Sequence, residues 1–360
     1  MRSLLSTKEQ RQLRLLEILI QKRDWIRLNE LAQTLECTDR ILKNDLNELR
    51  TAFPTFKIQS SINGIMLNLD TSASIEDIYI YFLSHSQSFQ LLEYMFFNEG
   101  LPIYRTVEKL HSSNANLYRL GNRITTILSK QFQIELSFTP TSLNGNEIDI
   151  RYFYAQYFSE RYYFLDWSFP DISEKVITEF ADYFYKSTNY PMRFAIYRMY
   201  KLMLAISIHR VKNGHFIDLP NHFYQDYYPV LMNLPDFEDK LAYFSQQFGL
   251  EMTPDIVAQI FISFLQNDIF LDPQQFFDSL NKNDESRYSY QLLSQILERL
   301  SKAFNIKFAN HDELIWHLHN TAYFERQETF STPLLFEQKG ITLEKFKVYF
   351  PDFMESARQE

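Results

Sequence analysis

One cysteine in 360 residues leaves no partner for an intramolecular disulfide, and this suits a reducing compartment. Glycine is scarce too, with seven in all. No Gly-rich phosphate loop, HExxH, cysteine pair or Gly-x-Ser-x-Gly elbow occurs, so the usual carriers of nucleotide, zinc and acyl chemistry are missing. Acidic residues are scattered, without a pairing that suggests acid–base work. Neither an enzyme nor a bound cofactor is expected. No run of eighteen apolar residues occurs, so no membrane-spanning helix is expected. The opening MRSLLSTKEQRQLR has no apolar core and does not read as a secretory signal. A cytoplasmic protein is expected.

Bulk is plentiful by contrast. Hydrophobic residues make up 45% of the chain, with 33 Phe and 23 Tyr. Few glycines and many helix-compatible aromatics predict a mainly α protein with bulky cores, long enough for two to four domains. The net charge is -9, but it is unevenly spread. Residues 1–60 and 101–135 each carry +3, which leaves -15 on the remainder. Positive charge is kept on two short stretches, and acidic surface elsewhere would turn away from a phosphate backbone.

The first of these stretches organises the chain. Leu28, Leu31, Ala32 and Leu35 predict a short amphipathic helix. Glu36-Cys37-Thr38 allows only a tight turn, in which Cys37 reads as a packing residue. Thr38 is a good N-cap for the next helix. That helix buries Leu42, Leu46 and Leu49 and presents Arg40, Lys43, Asn44, Asn47 and Arg50 on its other face. This is the pattern of a helix-turn-helix whose second helix enters a major groove. Arg and Lys suit guanine and phosphate, and Asn suits adenine. Lys57-Ile58-Gln59 and Ile65 to Leu69 flank Asn63-Gly64, which predicts a hairpin wing with a type I′ turn. A leading helix, Thr7 to Lys22, capped by Ser6 or Thr7, completes a winged helix over residues 1–70.

After a polar break at Thr71 to Ser74 and two helices, Ile75 to Leu83 and Phe89 to Phe97, the pattern returns. Ile103 to Leu110 is a short helix with Val107 and Leu110 inside, and His111-Ser112-Ser113 is a turn. Ser113 caps a helix to about Ser129 that presents Asn114, Asn116, Tyr118, Arg119, Asn122 and Arg123. Gly121 within that helix suggests a close approach. Gln133 to Phe138 and Glu147 to Arg151, around Asn144-Gly145, are the expected strands of a second wing, closing a domain at 71–155. A packing domain that kept this shape without DNA contact is the competing reading.

No recognition pattern follows. Arg151 to Phe164 is aromatic at nearly every position, as core or interface helices are. Helical segments are expected at Ser173 to Lys186, Phe194 to Asn213, Tyr224 to Phe248, Thr253 to Phe270, Tyr290 to Ala303, His311 to Tyr323 and Leu343 to Phe353. Lys282 to Ser286 reads as a polar loop between two bundles, at 156–280 and 281–360. His317-x-His319 has the wrong spacing for a helical metal pair, so no metal site is expected. A lone histidine on an apolar helix face is usually a hydrogen-bonded core residue. The alternative is phosphorylation on a ring nitrogen, which would install a dianion beside a bundle face.

The strings LAQTLECTDRILKNDLNELR with NGIMLNL, HSSNANLYRLGNRI with LNGNEIDIRYF, LAISIHRVKNGHF and LIWHLHNTAYF resemble the Mga/AtxA/RofA-like family of stand-alone virulence regulators. The last two resemble the histidine-bearing helices of phosphotransferase-system regulatory domains. The resemblance implies an activator of surface-protein, pilus or toxin genes that binds double-stranded promoter DNA through both winged helices. It implies homo-dimers or oligomers, and control through histidine phosphorylation by the phosphotransferase-system phosphocarrier. His209, His215, His317 and His319 are then the candidate acceptors. Family members usually continue into a domain resembling a IIB sugar-transporter subunit, beyond the short second bundle that ends at Glu360.

In this reading Arg40, Lys43 and Asn44 lie nearest the DNA, Lys57 touches phosphate from the wing, and Asn114, Asn116, Arg119 and Arg123 serve the second head. The rivals are an RNA-binding antiterminator and a helical sensor or scaffold with degenerate winged helices.

Overall fold

The computed structural model describes residues 2–22, 24–70, 73–162, 167, 169–185, 194–218, 232–265, 270, 273–281 and 283–326. The fold is mainly helical, as composition predicts. The chain divides into two compact units, and the division falls between Asn144 and Gly145, inside the expected second domain.

The first unit opens with α1 (Thr7–Lys22), α2 (Leu28–Thr34) and α3 (Asp39–Ala52), followed by β1 (Phe56–Ser61) and β2 (Gly64–Leu69). A capping box starts α1: Glu9 accepts the Ser6 N–H at 2.6 Å, and Ser6 Oγ accepts the Glu9 N–H at 3.3 Å. Leu13, Leu16, Leu31, Leu42, Leu46 and Leu49 meet in the core beneath the wing residues Ile58, Ile65 and Leu67. Next come α4 (Glu76–His85), α5 (Gln87–Phe97), α6 (Ile103–Lys109), α7 (Asn114–Phe132), β3 (Glu135–Phe138) and β4 (Thr141–Asn144).

Both wings correct the sequence reading. In the first, Ser61 pairs with Gly64, so the loop is Ile62-Asn63 rather than Asn63-Gly64. Neither loop residue has positive φ, so the turn is not type I′. Gly64 has φ +125°, and a Cβ there would overlap the Ile26 carbonyl. The Asn-Gly signal found the hairpin, but the glycine is required by the backbone of Ile26 lying against the strand. In the second wing the strands meet through Thr139-Pro140, a cis peptide. Glu147 to Arg151, expected as a strand, instead opens α8 (Glu147–Arg161). Ile150, Tyr152, Phe153, Tyr154, Tyr157 and Phe158 are buried around nearly its whole circumference, the signature of a helix inside a core.

The second unit takes in the start of α8, then α9 (Glu174–Tyr185), α10 (Phe194–Lys212), α11 (Phe237–Phe248), α12 (Pro254–Leu265), α13 (Pro273–Ser279), α14 (Asp284–Phe304) and α15 (His311–Arg326). Phe180, Phe184, Phe244, Phe248 and Phe261 form an aromatic cluster. Asn283 accepts the Glu285 and Ser286 amides, so most of the expected 282–286 loop is the first turn of α14. Of the expected helix Tyr224 to Phe248, residues 224–231 lie outside the described residues, 233–236 form turns that break it, and a helix runs from Phe237; Leu343 to Phe353 lies outside the described residues.

Candidate nucleic-acid interface

Two helix-turn-helix heads share one local design. α2 and α6 are each seven residues long and end in the same turn. Glu36 and His111 both take left-handed φ, +50° and +46°. The next amide in each case reaches back to close a Schellman motif, Cys37 to Ala32 and Ser112 to Val107. Thr38 and Ser113, 75 positions apart, then cap α3 and α7 by accepting the amides of Ile41 and Asn116. Ahead of each short helix the chain pairs with its wing, Ile26 with Ile65 and Leu101 with Thr141.

The polarity of α3 follows from what α1 removes. Arg11 donates to Asp45 at 2.6 Å, and Gln12 donates to Asp45 and Glu48. Lys8 bonds the other oxygen of Glu48 at 2.7 Å. The bond to Asp45 raises the Arg11 pKa, and the bond from Lys8 lowers that of Glu48. Two acids of α3, Asp45 and Glu48, are thus engaged by α1, while Asp39 in its first turn stays exposed. Arg40, Lys43, Asn44 and Asn47 remain exposed on the opposite side of α3, and no ion pair among the described residues occupies Arg40 or Lys43. Asn47 accepts from Arg50, which also donates to Ile58 O at 3.0 Å and Ser60 Oγ at 2.5 Å and so ties helix to wing. Lys43, Asn47 and Arg50 face Ser60 and Ser61 across a trough of about 330 Å³. Lys57 sits at the base of the wing, not its tip, and pairs with Asp70 at 3.2 Å.

The second head departs from expectation in detail. Asn114, Tyr118 and Arg119 are exposed, but Asn116 is half-buried, donating to Ser112 and accepting from Arg119. Tyr118 stacks edge-on to Phe138 at 5.1 Å. Arg123 is exposed but engaged, donating to Leu4 O at 2.8 Å and Ser88 Oγ at 2.7 Å. Val107 and Leu110 are only half-buried, while Thr106 is fully buried. The close approach at Gly121 is real, because a Cβ would overlap the Phe138 ring.

Comparison with known proteins agrees with this geometry. The M protein trans-acting positive regulator (MGA) HTH domain matches residues 6–65, the Mga helix-turn-helix domain matches 71–158, and the MGA PRD domain matches 173–360. The chain belongs to the Mga family of trans-acting regulators. A protein described as a trans-acting regulator in Streptococcus pneumoniae serotype 4 (strain ATCC BAA-334 / TIGR4) is 39% identical over all of this chain and 73% of its own length. The capsule synthesis positive regulator AcpB of Bacillus anthracis is 20% identical over 96% of this chain and 74% of its own length. The anthrax toxin expression trans-acting positive regulator of the same organism is 25% identical over 58% of this chain and 44% of its own length.

In the Mga PRD region the candidate histidines separate by environment. His209 is half-buried near the end of α10, its ring near the Asn213 amide at 3.3 Å. His215 is half-buried in the turn beyond, its carbonyl accepting from the buried Arg151. Arg151 and Arg210, both buried, share the carboxylate of Glu147. Burial lowers the Arg151 pKa and Glu147 opposes that shift. His317 is half-buried, 3.9 Å from Glu313. His319 is buried, bonded to Ser289 at 2.8 Å and packed on Phe276, as a core histidine is. Sequence reasoning missed the wing tie through Arg50, because its partners are a backbone carbonyl and a hydroxyl that no helical spacing reveals.

Proposed function

We propose that this Mga-family regulator is a cytoplasmic DNA-binding activator that reads double-stranded promoter DNA through both heads. The observation that carries the reading is the sorted surface of α3, with two of its three acids, Asp45 and Glu48, held by α1 and its cations and amides left outward. Thr38, Arg40, Lys43, Asn44 and Asn47 form the first contact surface, and Ser113, Asn114, Tyr118 and Arg119 the second. Arg123 and Lys57, already engaged, act as positioning groups. The proposed organisation is two heads, 1–70 and 71–155, and two regulatory bundles, 156–280 and 281–360, in a homo-dimer. The names of the B. anthracis relatives, regulators of capsule and toxin, support virulence-associated target genes.

Control is proposed through phosphorylation of His209, His215 or His317 by the phosphotransferase-system phosphocarrier. Arg151, which donates to the His215 carbonyl, and Arg210, next to His209 in sequence, are the arginines that a phosphoryl dianion on these histidines would recruit. His319, closed in by Phe276 and Ser289, has no room for one. Incubation with the phosphocarrier relay should add a phosphoryl mass that a single His→Ala change removes; no mass gain would end this part of the proposal.

The deciding experiment is a salt titration by fluorescence anisotropy on promoter-length duplex and on matched RNA. Duplex binding with a steep negative salt slope, and weak RNA binding, is expected. Preference for RNA would favour the antiterminator reading, and absence of binding to either would favour winged helices used for protein contacts.

A further inference from the structure

The two heads are tied together by a short segment that lies ahead of both helix-turn-helices. Residues 70–75 connect β2 to α4, a length that by itself limits separation and leaves orientation free. Side-chain bonds between the heads remove that freedom. The Ser88 hydroxyl on α5 and Arg123 Nη2 on α7 both donate to the Leu4 carbonyl, at 2.6 and 2.8 Å. Tyr79 on α4 donates to Glu17 on α1 at 2.9 Å, and Ser86 donates to Glu9 at 3.3 Å. At the centre lies a single 3-10 turn, Arg2–Leu4, which packs against α7. Leu4, Leu5 and Ser88 are buried. Arg2 closes the other end with a two-pronged bond to Glu17, at 2.5 and 2.7 Å, on the same carboxylate that takes Tyr79.

A continuous path of bonds therefore joins the two recognition helices. It runs from Arg123 on α7 to Leu4, and through the Ser6 cap into α1. From Lys8, Arg11 and Gln12 of α1 it passes to Asp45 and Glu48 on α3. Arg123 lies one turn beyond the exposed Arg119, so the bond fixes the reading helix itself and not a remote part of its head. We infer that Arg2 to Leu5 clasp both heads into one rigid reader, so that a single chain recognises two DNA sites at one set spacing and rotational phase. This rests on the DNA-binding function proposed above, and it makes Arg123 a positioning residue. Duplex DNA turns the same groove to one face every 10–10.5 bp, roughly. A rigid reader needs its second site in phase with its first, whereas heads on a flexible connection reach either phase. In phase, the second head binds at high effective concentration and multiplies the affinity of the first. Out of phase, a clasped second head contributes nothing.

The test uses the full chain in two measurements, and the first needs no DNA. Spin labels on Ile62→Cys and Lys130→Cys, exposed sites in the first and second head, report the distance between heads in a Cys37→Ser background. The wild-type clasp should give one narrow distance by double electron–electron resonance. Ser88→Ala with Arg123→Ala, which takes both side-chain donors from the Leu4 carbonyl, should give a broad distribution. Arg123→Lys, which can still donate, should keep the narrow one. Arg2→Ala with Tyr79→Phe opens the Glu17 end and keeps every buried ring, so it serves as the second loosened variant if the first melts early. The second measurement selects duplexes from a random library and inserts about 5 bp, half a turn, between the two protected segments. The insertion should weaken wild type about 10-fold or more, and the loosened variants about 3-fold or less. A narrow distance in both loosened variants, or a wild type indifferent to the insertion, would overturn the inference. Wild type that keeps one narrow distance but binds no duplex at low salt would overturn the DNA-binding function and leave the clasp standing, which tells the two failures apart.

Discussion

The two heads are the same scaffold, offset by 75 residues from cap to cap, and matched positions show where they diverge. Lys43 stands where the second head has Tyr118, Leu46 where it has Gly121, Glu48 where it has Arg123, and Arg50 where it has Thr125. The first head keeps its cations outward and holds its wing through Arg50. The second fills the Leu46 place with the Phe138 ring from its wing and holds the wing through Thr125, which accepts the Leu136 amide at 3.0 Å. It also ties Arg123, which stays exposed, to Leu4 and Ser88. The turn is common because it is backbone geometry, and the caps are common because Thr38 and Ser113 each bring a hydroxyl acceptor to the same place. The outward face and the wing anchor differ because they depend only on side chains, which change without disturbing the turn. A head can therefore keep its shape while its charge is redirected from ligand to scaffold.

The two heads differ most at their glycines, Gly64 and Gly121. Gly64→Ala puts a Cβ into the fixed backbone of Ile26 at positive φ. A loss of about 3 kcal/mol or more is expected in urea unfolding. Gly121→Ala meets only the Phe138 ring, which can turn, and gains about 1 kcal/mol of helix propensity against an overpacking cost of about 1–3 kcal/mol. It should cost clearly less. Equal losses would mean that both wings are held with equal rigidity.

Arg123 takes the place of Glu48 in the second head. Arg123→Ala removes charge-assisted bonds to Leu4 and Ser88 and should destabilise by about 1.5–3 kcal/mol while leaving the DNA salt slope unchanged. A flattened slope at full stability would return Arg123 to the DNA face.

Salt slopes then compare the outward faces. Lys43→Ala and Arg119→Ala should each flatten the slope by roughly one unit if the contact is to phosphate. Tyr118→Lys, which gives the second head the residue of the first, should steepen it by a similar amount. No change in all three would remove both helices from the interface.

The fold was legible wherever one local signal was enough. Thr38 and Ser113 announced themselves as caps, the leucine stripe of α3 gave its buried face, and Gly121 marked a close approach. The second wing was half legible: its first strand, Glu135–Phe138, lies within the expected Gln133 to Phe138, but Glu147 to Arg151 reads equally as strand or helix by periodicity and opens a helix. The candidate surface was legible as a set of exposed residues, not as a set of free ones. The partners of Arg123 lie 119 and 35 residues away, and Asp70, which takes Lys57, lies across the hairpin. Distances of that kind follow from tertiary packing and leave no mark on spacing. His317 and His319 differ in the same way: a spacing of two sends them to different sides of α15, but the side that faces Phe276 is set by the neighbouring helices.

The smallest expected effect concerns pH and belongs to the first head alone in this form, since Arg123 replaces Glu48 in the second. The bond from Lys8, with that from Gln12, holds the Glu48 pKa below its ordinary value. Its folded pKa is thus lower than its unfolded one, near 4.3. The stabilisation is present above that unfolded value and is lost as pH falls through the folded one. Both side chains are half exposed, so solvent screening holds the pair to a few tenths of a kcal/mol, roughly. Glu48→Gln should therefore be slightly less stable than wild type at neutral pH in low salt. The gap should hold above about pH 4.3 and narrow below it as the wild-type carboxylate takes up its proton, and added salt should shrink it. Urea midpoints of the two proteins across that range provide the check. A gap that stays constant with pH would show that Gln12, whose bond a glutamine can still accept, and not the charge of Lys8, secures this corner of α3 against α1.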